Sequence, residues 1–132
     1  MIPRYHSDGA AGIDLHACIS EPVVLRKGIV NSIPTGLSVA IDEGYEGQIR
    51  ARSSLASRGI IIPNSPGTID SDFRGEIKIL LLNLSEEPYE IQPNERIAQL
   101  VIAGYRRVEI IETEELPETQ RGSGGFGSSG KI

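Results

Sequence analysis

Apolar residues recur along this chain in short runs divided by turn formers. Val23 to Leu25, Ile29 to Ile33, Leu37 to Ile41 and Ile49 to Arg52 are separated by Arg26-Lys27-Gly28, Pro34-Thr35-Gly36 and Asp42-Glu43-Gly44. Upstream, Ile13 to Ile19 alternates well enough for a strand, with Asp14 pointing opposite to Ile13 and Leu15. Downstream, Ile77 to Leu84, Tyr89 to Ile91, Ile97 to Ile102 and Val108 to Ile111 continue the series, with Glu86-Glu87-Pro88 and Gln92-Pro93-Asn94-Glu95 as turns. Strands punctuated at intervals of roughly eight to twelve residues predict a sandwich or barrel. The one helix candidate is Ser53 to Gly59, with serines able to cap its start, an arginine in its last turn and a closing glycine; it spans about two turns at most.

Two apolar runs, Ile60 to Ile62 and Ile77 to Leu82, flank Asn64-Ser-Pro-Gly-Thr-Ile-Asp-Ser-Asp-Phe-Arg-Gly75, which predicts a β-hairpin with a pocket-sized tip. A regular strand would put Asp70 and Asp72 on one face and Phe73 on the other. A pocket holding both Asp70 and Phe73 therefore needs a bend, which Gly67 and Gly75 could supply. From its polarity alone, the segment is equally a solvated tip whose acids keep an edge soluble. Gln99, inside the apolar run Ile97-Ala98-Gln99-Leu100-Val101, is either paired in the core or facing a ligand.

Composition narrows these readings. A chain of 132 residues forms one domain with a core of its own. Its 19 Ile against only 6 Phe plus Tyr favour pleated strands, so the expected class is all-β. A net charge of −5, with acids spread along the chain, argues against a nucleic-acid-binding face. A phosphorylated ligand would have to be held by local groups. Cys18 is the single cysteine, which excludes an internal disulfide, suggests a reducing, cytoplasmic setting, and is expected to be a small buried hydrophobe. There is no apolar leader at the start and no run of the ~18 apolar residues that a membrane span needs. His6 and His16 are too isolated to argue for zinc.

Beyond Glu112 the chain turns acidic and then ends in Gln120-Arg-Gly-Ser-Gly-Gly-Phe-Gly-Ser-Ser-Gly-Lys-Ile132. A plain Gly/Ser linker has no use for an aromatic flanked by glycines. An arm that closes over a planar, phosphorylated ligand uses a ring to stack, a cation for phosphate, and glycines that let backbone amides approach anions.

Five separated segments are similar, in order, to the motifs of one family. They are Ala11-Gly-Ile-Asp-Leu15; Arg52-Ser-Ser-Leu-Ala56; Asn64 to Gly75; Glu95-Arg-Ile-Ala-Gln-Leu100; and Arg121-Gly-Ser-Gly-Gly-Phe-Gly-Ser-Ser-Gly130. The chain resembles the trimeric dUTP pyrophosphatases (deoxyuridine 5′-triphosphate nucleotidohydrolases) from Ala10 to Gly130.

The resemblance implies a β jelly roll or distorted barrel with one short helix, assembled as a homotrimer with three active sites shared between subunits. It divides the chain into a core, residues 1–116, and a C-terminal arm, residues 117–132. The implied reaction converts dUTP to dUMP and pyrophosphate by attack of water at the α-phosphorus. Asp70 would be the general base, a role typically worth about 10²- to 10⁴-fold in rate. Asn64, with Gly67, Thr68 and Ile69, would read the uracil edge. Phe73 stands where the family usually has Tyr, so stacking on deoxyribose is kept and the phenol hydroxyl is lost. Arg52, Ser53 and Ser54 of a neighbouring subunit, with Gln99, would contact the phosphates. From a third subunit Arg121 would reach the γ-phosphate region and Phe126 would stack over uracil, while Ser128, Ser129 and backbone amides such as that of Gly125 closed over the phosphates. Asp14 would support the sugar, the metal waters or the arm. Mg²⁺ would be held by the triphosphate and water rather than by protein ligands.

Two alternatives are a dCTP deaminase, which shares a segment like Ser53 to Ala56 but needs a catalytic glutamate in the pocket, and a non-enzymatic jelly-roll binding module.

Overall fold

The computed structural model describes residues 2–125, which form nine strands and one short helix. In chain order these are β1 (Ile13–His16), β2 (Val23–Leu25), β3 (Val30–Pro34), β4 (Tyr45–Arg50), α1 (Ser53–Ala56), β5 (Ile60–Ile61), β6 (Gly67–Ile69), β7 (Lys78–Asn83), β8 (Tyr89–Ile91) and β9 (Arg96–Gly104). Three sheets result, with strand orders β1-β9-β4-β6, β3-β7-β5 and β2-β8. Every strand pair in them is antiparallel. The sheets enclose one core of branched aliphatics, the all-β class expected of this composition and the jelly roll that the resemblance implied.

Alternation decides what each strand gives to that core. Along β7 the inward positions are Ile79, Leu81 and Asn83; along β4 they are Gly47 and Ile49. The aliphatic positions are nearly free of solvent, and each fully buried Ile or Leu contributes about 1.5–3 kcal/mol. Asn83 is the polar exception. Fully buried, it donates from Nδ2 to the carbonyls of Leu25 (2.9 Å) and Glu87 (2.8 Å) and accepts at Oδ1 from the Ser85 amide (2.8 Å) and hydroxyl (2.7 Å). One side chain thus ties β7 to β2 and to the turn before β8.

Three predicted elements differ. Leu37 to Ile41 is not a strand. Leu37 and Val39 do pack on the core, and the Leu37 carbonyl accepts from the Ile77 amide (2.8 Å), but no ladder forms. The segment follows Gly36, which sits at φ +68°, so its apolar alternation reflects burial without regular pairing. Val108 to Ile111 is also irregular, and Val108, Ile110 and Ile111 are 76%, 91% and 78% exposed. The helix is a single turn, begun by Arg52 as an extended N-cap without any side-chain capping bond. Ser53 and Ser54 are its first residues rather than its caps, and Arg58 lies past its end, 5.8 Å from the centroid of the Tyr89 ring. Cys18 is exposed, not buried.

Replacing Asn83 by Ala leaves the buried Leu25 carbonyl and the half-buried Ser85 amide without their partner, whereas the Glu87 carbonyl keeps its bond from the Ser85 hydroxyl. The expected loss is about 2–4 kcal/mol in urea unfolding; a loss below about 1 kcal/mol would show that water replaces those bonds.

Candidate active site

The apolar runs of the expected hairpin do pair, Ile60 with Asn83 and Ile61 with Leu82, so β5 and β7 flank the connection as the sequence suggests. The connection itself is not a free tip. Its middle forms β6, which leaves that sheet and pairs with β4, Gly47 opposite Ile69 and Ile49 opposite Gly67. Asn64 to Gly75 is thereby anchored at its centre and crosses from one sheet to another.

Gly67 is buried in β6, and a Cβ added there would fall 3.0 Å from Asn64 Nδ2, so the Asn64 amide is folded against the bare backbone. After Ile69 the chain turns, with the Phe73 amide donating to the Asp70 carbonyl (3.1 Å). That turn brings Asp70 and Phe73 to one end of β6, which a straight strand would not do. Neither Gly67 nor Gly75 has a positive φ. Gly75 is needed for space instead, since a Cβ there would lie 2.6 Å from Phe73 Cζ. Phe73 is 40% exposed, and Asp70 and Thr68 are exposed as well. Asp70, Ser71, Asp72 and Arg74 line a cleft of about 780 Å³, completed by Ile41, Glu43, Glu46, Tyr105 and Arg107. The last five were not anticipated, because they come from the loop before β4, from the start of β4 and from the segment after β9.

A second group forms around Asp14. The register of the large sheet sets Asp14 opposite Gln99 and Gln99 opposite Arg50, so these three project from the same face. Gln99, left open by the sequence, is half-buried and donates from Nε2 to the Ala51 carbonyl (3.0 Å). A Cβ on Gly12 would meet Gln99 Oε1 at 2.5 Å, so a larger residue there would displace the Gln99 amide. Asp14 Oδ1 lies 3.2 Å from Arg52 Nε, and Oδ2 lies 3.1 Å from Arg96 Nη1 and 3.4 Å from His6 Nε2. Arg52 also donates from Nη1 to the Arg96 carbonyl (3.0 Å). Its guanidinium is therefore held from two sides just ahead of α1, where Ser53 and Ser54 are exposed with free hydroxyls.

His6 and Arg96 were missed as members of this group. Arg96 stands inside one of the matched segments, but nothing local tells that it meets a residue 82 positions earlier. A register shift between Leu15 and His16 pairs His16 with Arg96. Burial lowers the His16 pKa below its usual value; Asp14 opposes that shift, and the Arg96 and His6 charges add to it.

The two groups share no hydrogen bond or ion pair among the described residues. Arg121 is exposed and donates from Nε to the Gly124 carbonyl (2.8 Å) within a local turn, touching neither group, and Gly125 is the last described residue. Phe126, Ser128 and Ser129 lie outside the described residues. Among the described residues no group of three or more His, Cys, Asp or Glu could hold a metal ion, and no helix is long and apolar enough to cross a membrane.

Comparison with known proteins identifies the family. A family described as dUTPase matches residues 1–130. The deoxyuridine 5′-triphosphate nucleotidohydrolase of Nautilia profundicola is 56% identical over 132 residues, covering 99% of this chain and 92% of its own. Among solved structures, the Staphylococcus bacteriophage 80alpha dUTPase with dUpNHpp superposes with a TM-score of 0.83 at 29% identity, over 98% of this chain and 92% of that one. A mutant dUTPase of S. aureus phage phi11, described as coordinating a structural Mg(II) ion, gives a TM-score of 0.77 at 26% identity over 87% of this chain and 90% of its own. With the family matching from end to end, the chain belongs to the dUTPases.

Proposed function

We propose that this protein hydrolyses dUTP to dUMP and pyrophosphate, limiting uracil incorporation into DNA and supplying dUMP for dTMP synthesis. The observation that carries the reading is the turn after β6, which holds an exposed carboxylate, Asp70, beside an exposed ring, Phe73, at the end of a segment whose Asn64 amide is already folded against backbone. Asp70 takes a proton from water as the water oxygen bonds to the α-phosphorus and the bond from that phosphorus to the bridging oxygen of the β-phosphate breaks. The electron pair leaves with pyrophosphate.

Selection of the base falls to Asn64 with Gly67, Thr68 and Ile69. A hydrogen-bonded pocket rejects cytosine because its exocyclic amine strands buried polar groups, and a tight one rejects the thymine methyl. Phe73 packs on deoxyribose and leaves no room for a ribose 2′-hydroxyl. The phosphates are met by Arg52, Ser53, Ser54 and Gln99, with Asp14 supporting Arg52. Because the Asp14 and Asp70 groups share no hydrogen bond or ion pair among the described residues, the full site would draw on several copies, as a homotrimer provides. Val108, Ile110, Ile111 and Leu116, all strongly exposed between β9 and the arm, give that segment an apolar surface to lay on a neighbouring subunit. Residues 117–132 form the closing arm, with Arg121 on the terminal phosphate, Phe126 over uracil, and Gly125, Ser128 and Ser129 around the phosphates. Closure excludes bulk water and strengthens each electrostatic contact. Mg²⁺ would arrive on the triphosphate and neutralise phosphate charge there. The single cysteine fits a cytoplasmic enzyme.

Pyrophosphate release assayed with Mg²⁺ on dUTP, dCTP, dTTP and UTP is expected for dUTP alone. Appreciable UTP turnover would locate a loss of sugar selection at Phe73, conversion of dCTP to a uracil nucleotide would replace the reading with a deaminase, and no turnover at all would leave a binding module. Asp70→Asn should retain nucleotide binding while kcat falls by about 10²-fold or more, and a near wild-type kcat would remove Asp70 from the base role. Deleting everything after Gln120 should abolish turnover and leave the trimer intact by analytical ultracentrifugation; a fully active or a monomeric truncated protein contradicts the arm assignment.

A further inference from the structure

A pocket of about 360 Å³ opens beside the Asp14 group and is lined by Ile2, Arg4, His6, His16 and Arg96. In a chain of net charge −5, four of its five lining residues are basic or protonatable and none is acidic. Among the described residues Asp14 is the only carboxylate that reaches any of them, and it is shared among His6, Arg52 and Arg96 at 3.1–3.4 Å. One negative charge cannot satisfy that set. Arg4 forms no ion pair among the described residues.

The geometry is built by the fold. Arg4 and His6 come from the segment before β1, whereas His16 and Arg96 face each other across β1 and β9, just past a register shift between Leu15 and His16. Positive groups gathered on one wall repel one another, and an anion between them relieves the repulsion. Guanidinium forks suit phosphoryl oxygens, to which they bind in bidentate fashion, and the volume admits more than one phosphoryl group. His16 faces Asp14, Arg96 and His6, and its pKa lies below the usual value through burial first and then the neighbouring positive charges, against the pull of Asp14. An anion placed against it would draw a proton onto the ring.

We propose that this pocket is a second anion site, distinct from the residues assigned to substrate, that takes a phosphate-type polyanion of the size of inorganic pyrophosphate. It lies one residue from Arg52, through Asp14, so an occupant shares its electrostatics with the substrate's phosphate contacts.

The test is a titration of the full-length protein with inorganic pyrophosphate in metal-free buffer at pH 7, following the imidazole C–H signals of His6 and His16 by NMR, with dUTP titrated in parallel. Saturable shifts of both rings are expected on pyrophosphate, with Kd raised about tenfold or more in Arg4→Ala and in His16→Gln, further in Arg4→Glu, and largely restored in Arg4→Lys. Turnover of dUTP at saturating substrate should be unchanged in these variants. Because the readout is binding at named rings, it is independent of whether dUTP is the substrate. Absence of shifts, or an affinity that Arg4→Glu leaves at the wild-type value, overturns the site. Shifts with dUTP and not with pyrophosphate make the pocket part of the substrate site and also overturn it.

Discussion

The pleat of β9 sets the arrangement on which the rest depends. At nine residues it is the longest strand of the described chain, and it lies between β1 and β4 in the large sheet. Ala98 and Leu100 turn inward and are almost free of solvent, so alternation obliges Gln99, between them, to turn to the opposite face. Pairing on both sides then carries the same face across the sheet, from Asp14 through Gln99 to Arg50, and by way of Gln48 to Thr68 on β6. A slip of one residue would bury Gln99 and expose Leu100, and every polar group on that face would be lost at once.

Electrostatics on this face follow from a shortage of carboxylates. An acidic protein that binds a polyphosphate must keep local cations free of its own acids, and the Asp14 group does so by sharing one carboxylate among His6, Arg52 and Arg96. Held by Asp14 and by the Arg96 carbonyl, Arg52 has already lost much of its rotamer freedom before any phosphate arrives. Pre-organisation of this kind lowers the entropy lost on binding. The excess positive charge that remains is available to an anion.

The Asp70 region solves a different problem. In the proposed reading a catalytic carboxylate has to meet water while the groups that read the base stay fixed, and the segment from Asn64 to Gly75 would divide these duties along its length. Its centre is pinned to β4 as β6, with Gly67 buried and Asn64 folded over it, while the turn beyond Ile69 stays exposed with Asp70 and Phe73. Rigid sheet on one side and an open turn on the other is the usual way a scaffold positions chemistry.

Period-two alternation, branched aliphatics and Gly/Pro punctuation are local signals, and from them the all-β class, every described strand except β6, and the Asp70–Phe73 turn region were legible. Motif residues such as Arg52, Gln99 and Asp70 were legible for the same reason, since each sits in a short run of distinctive neighbours. Long-range pairing was not. Nothing near Thr68 says that β6 abandons its hairpin for β4, and nothing near Leu37 or Ile110 says that one apolar run packs without a ladder while another stays bare. The gathering of His6 and Arg96 around Asp14 joins β9 to residues more than eighty positions away, so it exists only once β1 and β9 have paired. Local sequence sets the conformational preferences of each segment, whereas the partners of a strand are chosen by which faces must be buried together, a property of the whole chain.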